Sequence, residues 1–204
     1  MRKLRILEPV LMFGLITAYI WRFRFVHPAS WVAIPALMIL SHLWRRESPR
    51  NLGFVLVNLR RSLTELAPVL LLISLTLLSA GLLLGTLRPS GVDGALLALA
   101  GYLPWGLAQQ YALNGYFLNR FEAVLPTRGA SVISTVLFSA VHAPNPFLMA
   151  VTLPLGWCAI LLYRRTRNLY LLGIAHAALG VLLFMVVPDS LSRHLRVGPN
   201  WFRH

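Results

Sequence analysis

Apolar residues in this chain come in long runs broken by short polar or basic clusters, and most runs approach the roughly 20 residues that cross about 30 Å of hydrocarbon as helix. Seven runs are predicted as helical spans, over residues 8–22, 28–44, 66–87, 94–119, 129–143, 147–163 and 169–187. The first is interrupted only by Glu8, the second opens after His27-Pro28, and Pro144 and Pro146 close the fifth. Between the second and third runs, Arg45, Arg46, Arg50, Arg60 and Arg61 flank an apolar Leu-Gly-Phe-Val-Leu-Val segment. That pattern predicts an amphipathic stretch lying at the membrane interface over residues 45–65. Gly81 and Gly85, four residues apart in the third run, have a spacing that permits close helix approach. The chain therefore divides into an N-terminal part (1–65) of two spans plus the basic segment, a helical core (66–187) and a short polar tail (188–204).

Composition turns these runs into a class. With 57% hydrophobic and only 12% charged residues, and a mean hydropathy of +0.68, the chain holds more apolar surface than a soluble domain of this length covers. The expected fold is all-α, a polytopic transmembrane helix bundle of about seven spans. The net charge of +13 does not point to nucleic acid, because the basic residues sit in clusters beside the apolar runs, as topology signals do. Thirteen of them, including Arg2, Lys3, Arg5, Arg120, Arg128, Arg164, Arg165 and Arg167, fall on one side of the predicted spans. Six, Arg22, Arg24, Arg88, Arg193, Arg196 and Arg203, fall on the other. The N-terminus is accordingly expected in the cytoplasm and the C-terminus outside. Met1 to Arg5 has the charge of a leader's first region, but no small-residue cleavage site follows, so the first run is read as a retained span. The single cysteine, Cys158, excludes an internal disulfide and a cysteine metal cluster and is read as a small core residue.

Three of the later runs carry groups that are expensive to place in lipid: Gln109-Gln110-Tyr-Ala-Leu-Asn114-Gly115, then His142, then His176. At 1.5 Å per residue, Gln110 lies about 15 Å, His176 about 13 Å and His142 about 21 Å from the nearest cytoplasmic helix end. All three therefore reach the middle of the bilayer and are expected to face one cavity. Gln110 and Asn114, four residues apart, share a helix face.

These stretches resemble the CPBP intramembrane proteases, which include CAAX prenyl endopeptidases and bacteriocin-processing or self-immunity proteins. That family's pattern is Glu-Glu-x-x-x-Arg-Gly, then Phe-x-x-x-His, then His-x-x-x-Asn or Asp, on successive helices. Here the corresponding residues are Gln109, Gln110, Asn114 and Gly115, then Phe138 and His142, then His176 and Gly180. The resemblance covers residues 94–187. It implies an intramembrane endopeptidase in which the first motif and His142 activate a water while His176 steadies the oxyanion, so Gln109, Gln110, His142 and His176 are the catalytic positions. It implies no cofactor and no metal. It also implies a membrane-embedded or lipid-anchored protein or peptide as substrate or partner, within membrane lipids.

The residue types depart from the pattern. A carboxamide has no usable basicity, although its oxygen orients water. Both glutamates, the arginine and the third-motif amide are replaced together, so the site loses its charges as a set. Two readings stay open: an endopeptidase in which His142 itself is the base, and a catalytically inactive member that keeps the cavity as a binding or partner-stabilising scaffold. Two histidines are too few donors for catalytic zinc, and a bis-histidine haem has nothing else in the sequence to support it. Eighteen arginines against one lysine suggest a GC-rich bacterial genome, and hence a multi-pass protein of the inner membrane.

Overall fold

The structure, a computed structural model, describes residues 2–88 and 91–202. Met1 and Arg203, and the side chains of Arg2 and Lys3, all used in the leader and charge readings above, lie outside the described residues. Every element among the described residues is helical. Helix α1 (Arg2–Ala18) continues through a π-helical turn at Tyr19–Phe23 to Val26, and α2 spans Ala33–Trp44. Helix α3 is Leu59–Leu83, and α4 is Gly91–Gln110. A π-helical stretch, Tyr111–Leu118, and one further turn, Asn119–Glu122, prolong α4. Helices α5 (Thr127–Ala140), α6 (Pro146–Thr166) and α7 (Leu169–Val186) follow. Arg5–Val26, α3, α6 and α7 are each long and apolar enough to cross a membrane, which makes the chain a multi-pass helical membrane protein.

The core of the bundle is the π-helical stretch, whose residues Leu113–Leu118 are all buried. Two glycines let α4 and α7 touch. A methyl group at Gly106 would meet the Gly173 carbonyl oxygen at 2.7 Å, and one at Gly173 would collide with Leu107. Backbone contact at this distance leaves no room for even an alanine.

Several expectations need correction. Residues 45–65, expected as an interfacial amphipathic stretch, divide in two: 45–58 form a non-helical loop, and α3 starts at Leu59 and takes in Arg60, Arg61 and Glu65. Asn58 and Asn168 explain this. Asn58 Nδ2 donates to the Thr166 carbonyl at 2.5 Å, and Asn168 Nδ2 donates to the Val55 carbonyl at 3.0 Å and to Asn58 Oδ1 at 2.8 Å. These bonds hold the segment against the α6–α7 junction as a loop. The glycine pair also does not act as one motif. Gly81 packs against Val186, but Gly85 lies beyond the helix end at φ +64° with no neighbour, a helix-terminating role.

The largest correction concerns Arg120, read above as a loop charge facing water. It is only 3% exposed. Its Nε donates to Glu8 Oε1 at 3.0 Å, its Nη1 to both Glu47 oxygens at 2.8 and 2.9 Å, and its Nη2 to Ser41 Oγ at 3.0 Å. Arg45 also pairs with Glu8, His42 Nδ1 sits 2.5 Å from Glu47, and Tyr116 Oη donates to Glu8 at 3.1 Å. Two carboxylates, one from α1 and one from the loop just after α2, thus neutralise a guanidinium carried at the end of the prolonged α4, as a buried charge requires.

Candidate intramembrane site

The predicted groups meet on a cavity of about 210 Å³ between α3, α4, α5, α6 and α7, lined by Gln109, Gln110, His142 and His176. Phe138 and Gly180 line it as well, whereas Asn114 and Gly115 lie one layer behind, in the core.

Gln110 is the hub. Its Nε2 lies 3.2 Å from His176 Nδ1, and its Oε1 accepts a bond from Asn114 Nδ2 at 2.8 Å. The amide nitrogen is a donor, so His176 Nδ1 is the acceptor and its Nε2 carries the ring proton. Gln110 and Asn114 are 4% and 0% exposed, and the Asn114 Oδ1 has no hydrogen-bond partner. Gly115 is small for a local reason: a methyl there would meet the Tyr111 ring at 2.8 Å.

His142 comes from the turn that ends α5. Its Nδ1 lies 2.8 Å from the Phe138 carbonyl and must donate to it, which leaves Nε2 with a lone pair. Phe138 stands between the histidines, its ring edge-on to His142 at 5.3 Å and to His176 at 6.1 Å between centroids. Gly156 of α6 makes room for it, since a methyl there would touch Phe138 at 3.0 Å.

Gln109 turns to a residue that sequence reasoning missed. Its side chain lies beside Tyr102, whose ring stacks with His176 at 6.4 Å between centroids. The same ring occupies the space beside Gly180: a methyl on that glycine would lie 2.5 Å from Tyr102 Cε1. The tyrosine therefore fills the place of the side chain that the third motif would supply. A tyrosine in an apolar run gives no sequence signal for this, because it depends on how α4 and α7 meet.

No aspartate or glutamate is among the described residues lining the cavity, whose candidate metal donors are His142, His176 and Cys158. Among the described residues, no three His, Cys, Asp or Glu side chains converge. The cavity wall thus offers amides, two imidazoles and apolar side chains. Beyond α7, Leu195 and Val197 close one side, and Asn145 ties that segment down by donating to the Ser192 and Arg196 carbonyls at 2.9 and 3.0 Å. Cys158, read above as a core residue, also faces the cavity.

Residues 91–182 match the family model described as Type II CAAX prenyl endopeptidase Rce1-like. No curated protein and no solved structure matches the chain. The matched segment runs from the start of α4 through Gly180 and so contains all three motif stretches, and over it the chain is similar to the Rce1-like CAAX prenyl endopeptidases.

Proposed function

We propose that this protein receives a membrane-anchored protein or peptide in the cavity and binds it without the carboxylate-driven hydrolysis of its family. One observation carries the reading. The positions that would hold the acid, the arginine and the third-motif amide form a neutral assembly, in which Gln110 is hydrogen-bonded to Asn114 and His176 while Tyr102 lies beside Gln109 and packs over Gly180. A buried charge in such a place would lack a partner. The mostly apolar wall suits an aliphatic or isoprenoid chain, and the amides suit a peptide backbone.

A second reading has its own support: the Phe138 carbonyl fixes the His142 tautomer so that Nε2 is a free base at the cavity wall. There His142 would take a proton from a water oriented by Gln109, with the His176 Nε2–H stabilising the oxyanion. Seven crossings, a cytoplasmic N-terminus and a bacterial inner membrane complete the proposal; reporter fusions at each terminus report the sidedness.

The test uses Cys158, the chain's single cysteine, which faces the cavity. Purified protein in detergent is alkylated with an apolar maleimide in the presence of a prenylated or an unprenylated peptide, and the peptides are analysed for cleavage. Protection of Cys158 by the prenylated peptide, with the peptide intact, is the expected result. Cleavage that disappears in His142→Ala would overturn the binding-only reading in favour of the second. Cleavage that appears only in Gln109→Glu, combined with Asn114→Arg, would identify a scaffold lacking only its base.

A further inference from the structure

A second concave site lies away from the motif cavity, where the 45–58 loop docks on the α6–α7 junction. Its cleft, about 420 Å³, is lined by Arg50, Asn51, Val55, Val57, Asn58 and Arg167. Three contacts build it. Gly53, at φ +96°, presses the loop so close that a methyl would meet the Tyr163 ring at 2.9 Å and the Arg167 carbonyl at 3.0 Å. Leu169 N donates to the Gly53 carbonyl at 2.8 Å, and Tyr163 Oη donates to the Leu52 carbonyl at 2.9 Å. Arg167 takes the left-handed conformation, φ +46°, and its guanidinium lies over the Tyr163 ring at 5.4 Å while donating to the Asn51 carbonyl at 2.9 Å.

Both cations of this cleft lack an acid. The neighbouring Arg164 and Arg165 are paired, with Glu122 and Glu65. Arg50 and Arg167 form no ion pair among the described residues, and no carboxylate lines the cleft. Two like charges held in one concavity repel, and an anion placed between them removes the repulsion while accepting forked hydrogen bonds. Asn58 is the N-cap of the 25-residue α3, so the positive end of that helix lies at the edge of the cleft. The rim is apolar: Leu56 and Val57 are 66% and 84% exposed, and a side chain that bare in a membrane protein fits acyl chains.

We propose that this cleft binds a phosphate group, presented by the headgroup of an anionic membrane lipid, with Arg50 and Arg167 as its ligands. The loop is then an interfacial anchor whose apolar tip enters the bilayer while the two arginines grip the phosphate layer.

The full-length protein in detergent is titrated with water-soluble dihexanoyl phosphatidylglycerol, dihexanoylglycerol or inorganic phosphate, and the rise in Tm is followed. Phosphatidylglycerol is expected to give a saturable rise and dihexanoylglycerol none. Arg50→Gln and Arg167→Gly each raise the half-saturating concentration about tenfold, the size of one lost charge-assisted contact. Glycine is chosen at 167 because it accepts the left-handed backbone and keeps the fold. Arg128→Gln, an exposed arginine at the start of α5, leaves the titration unchanged. Inorganic phosphate acting as well as the lipid, with the same dependence on Arg50 and Arg167, would keep the site and assign free phosphate as its source. Equal effects of phosphatidylglycerol and dihexanoylglycerol, no effect of any ligand, or indifference to both cleft substitutions would overturn the proposal.

Discussion

At the scale of single residues, the site is a set of compensations. Gly180 has no side chain, and Tyr102 takes up the space that it leaves. Gly180→Asn, which restores the family's residue, is therefore expected to overpack this contact and to lower stability by about 1–3 kcal/mol. Thermal unfolding in detergent would show it, and Tyr102→Ala in the same chain would restore much of the loss; an unaltered Tm in the single variant would mean that the ring swings away freely. The sequence showed part of this arrangement. Spacing alone put Gln110 and Asn114 on one face, and the structure places their amides 2.8 Å apart. Tyr102 was not legible, since its role exists only where α4 crosses α7. The division of labour between the glutamines was not legible either: Gln110 bonds His176 while Gln109 lies beside Tyr102, and adjacent residues on a helix point in different directions.

At the scale of elements, runs of apolar residues located the helices, and polar side chains set where they stop. Asn168 is the clearest case. It is fully buried, caps α7 by accepting from Leu171 N at 3.0 Å, and donates to Val55 and Asn58 of the loop. Asn168→Ala removes the cap and leaves the Val55 carbonyl without this donor, a loss of about 2–3 kcal/mol. Protease accessibility of the 45–58 loop should rise along with the fall in Tm; a loop still protected in that variant would locate its anchorage elsewhere. Hydropathy could not foresee this docking. A loop rich in arginine and apolar residues reads equally as an amphipathic helix, and what decides is a pair of asparagines more than a hundred positions apart. The π-helical stretch after Gln110 was likewise unreadable, because its extra residue per turn follows from packing in the core rather than from local propensity.

At the scale of the whole molecule, apolar runs and composition gave the class of protein, whereas charge counting misjudged Arg120, which is a buried keystone of the ion network. Counting assumes that an arginine after an apolar run faces water, and two distant acids remove that need. Glu47 supplies one of them and gives the network a pH dependence. Burial would raise its carboxyl, yet bonds from His42 and Arg120 outweigh that and hold it below its ordinary value. A carboxyl lowered by folding adds stability that is complete above the ordinary carboxylate range and drains away as pH falls through its folded value. Tm measured from pH 7 down to about pH 3.5 should thus decline steeply at the acid end. Glu47→Gln should begin lower at pH 7 and decline less; parallel curves would remove Glu47 from the account. The same network bears on how portable the fold is. The family match begins at residue 91, but Arg120 inside it is neutralised by Glu8 and Glu47 outside it. A chimera grafting the 91–182 core onto a foreign N-terminal half must import two suitably placed acids with it, or carry an uncompensated guanidinium in its interior.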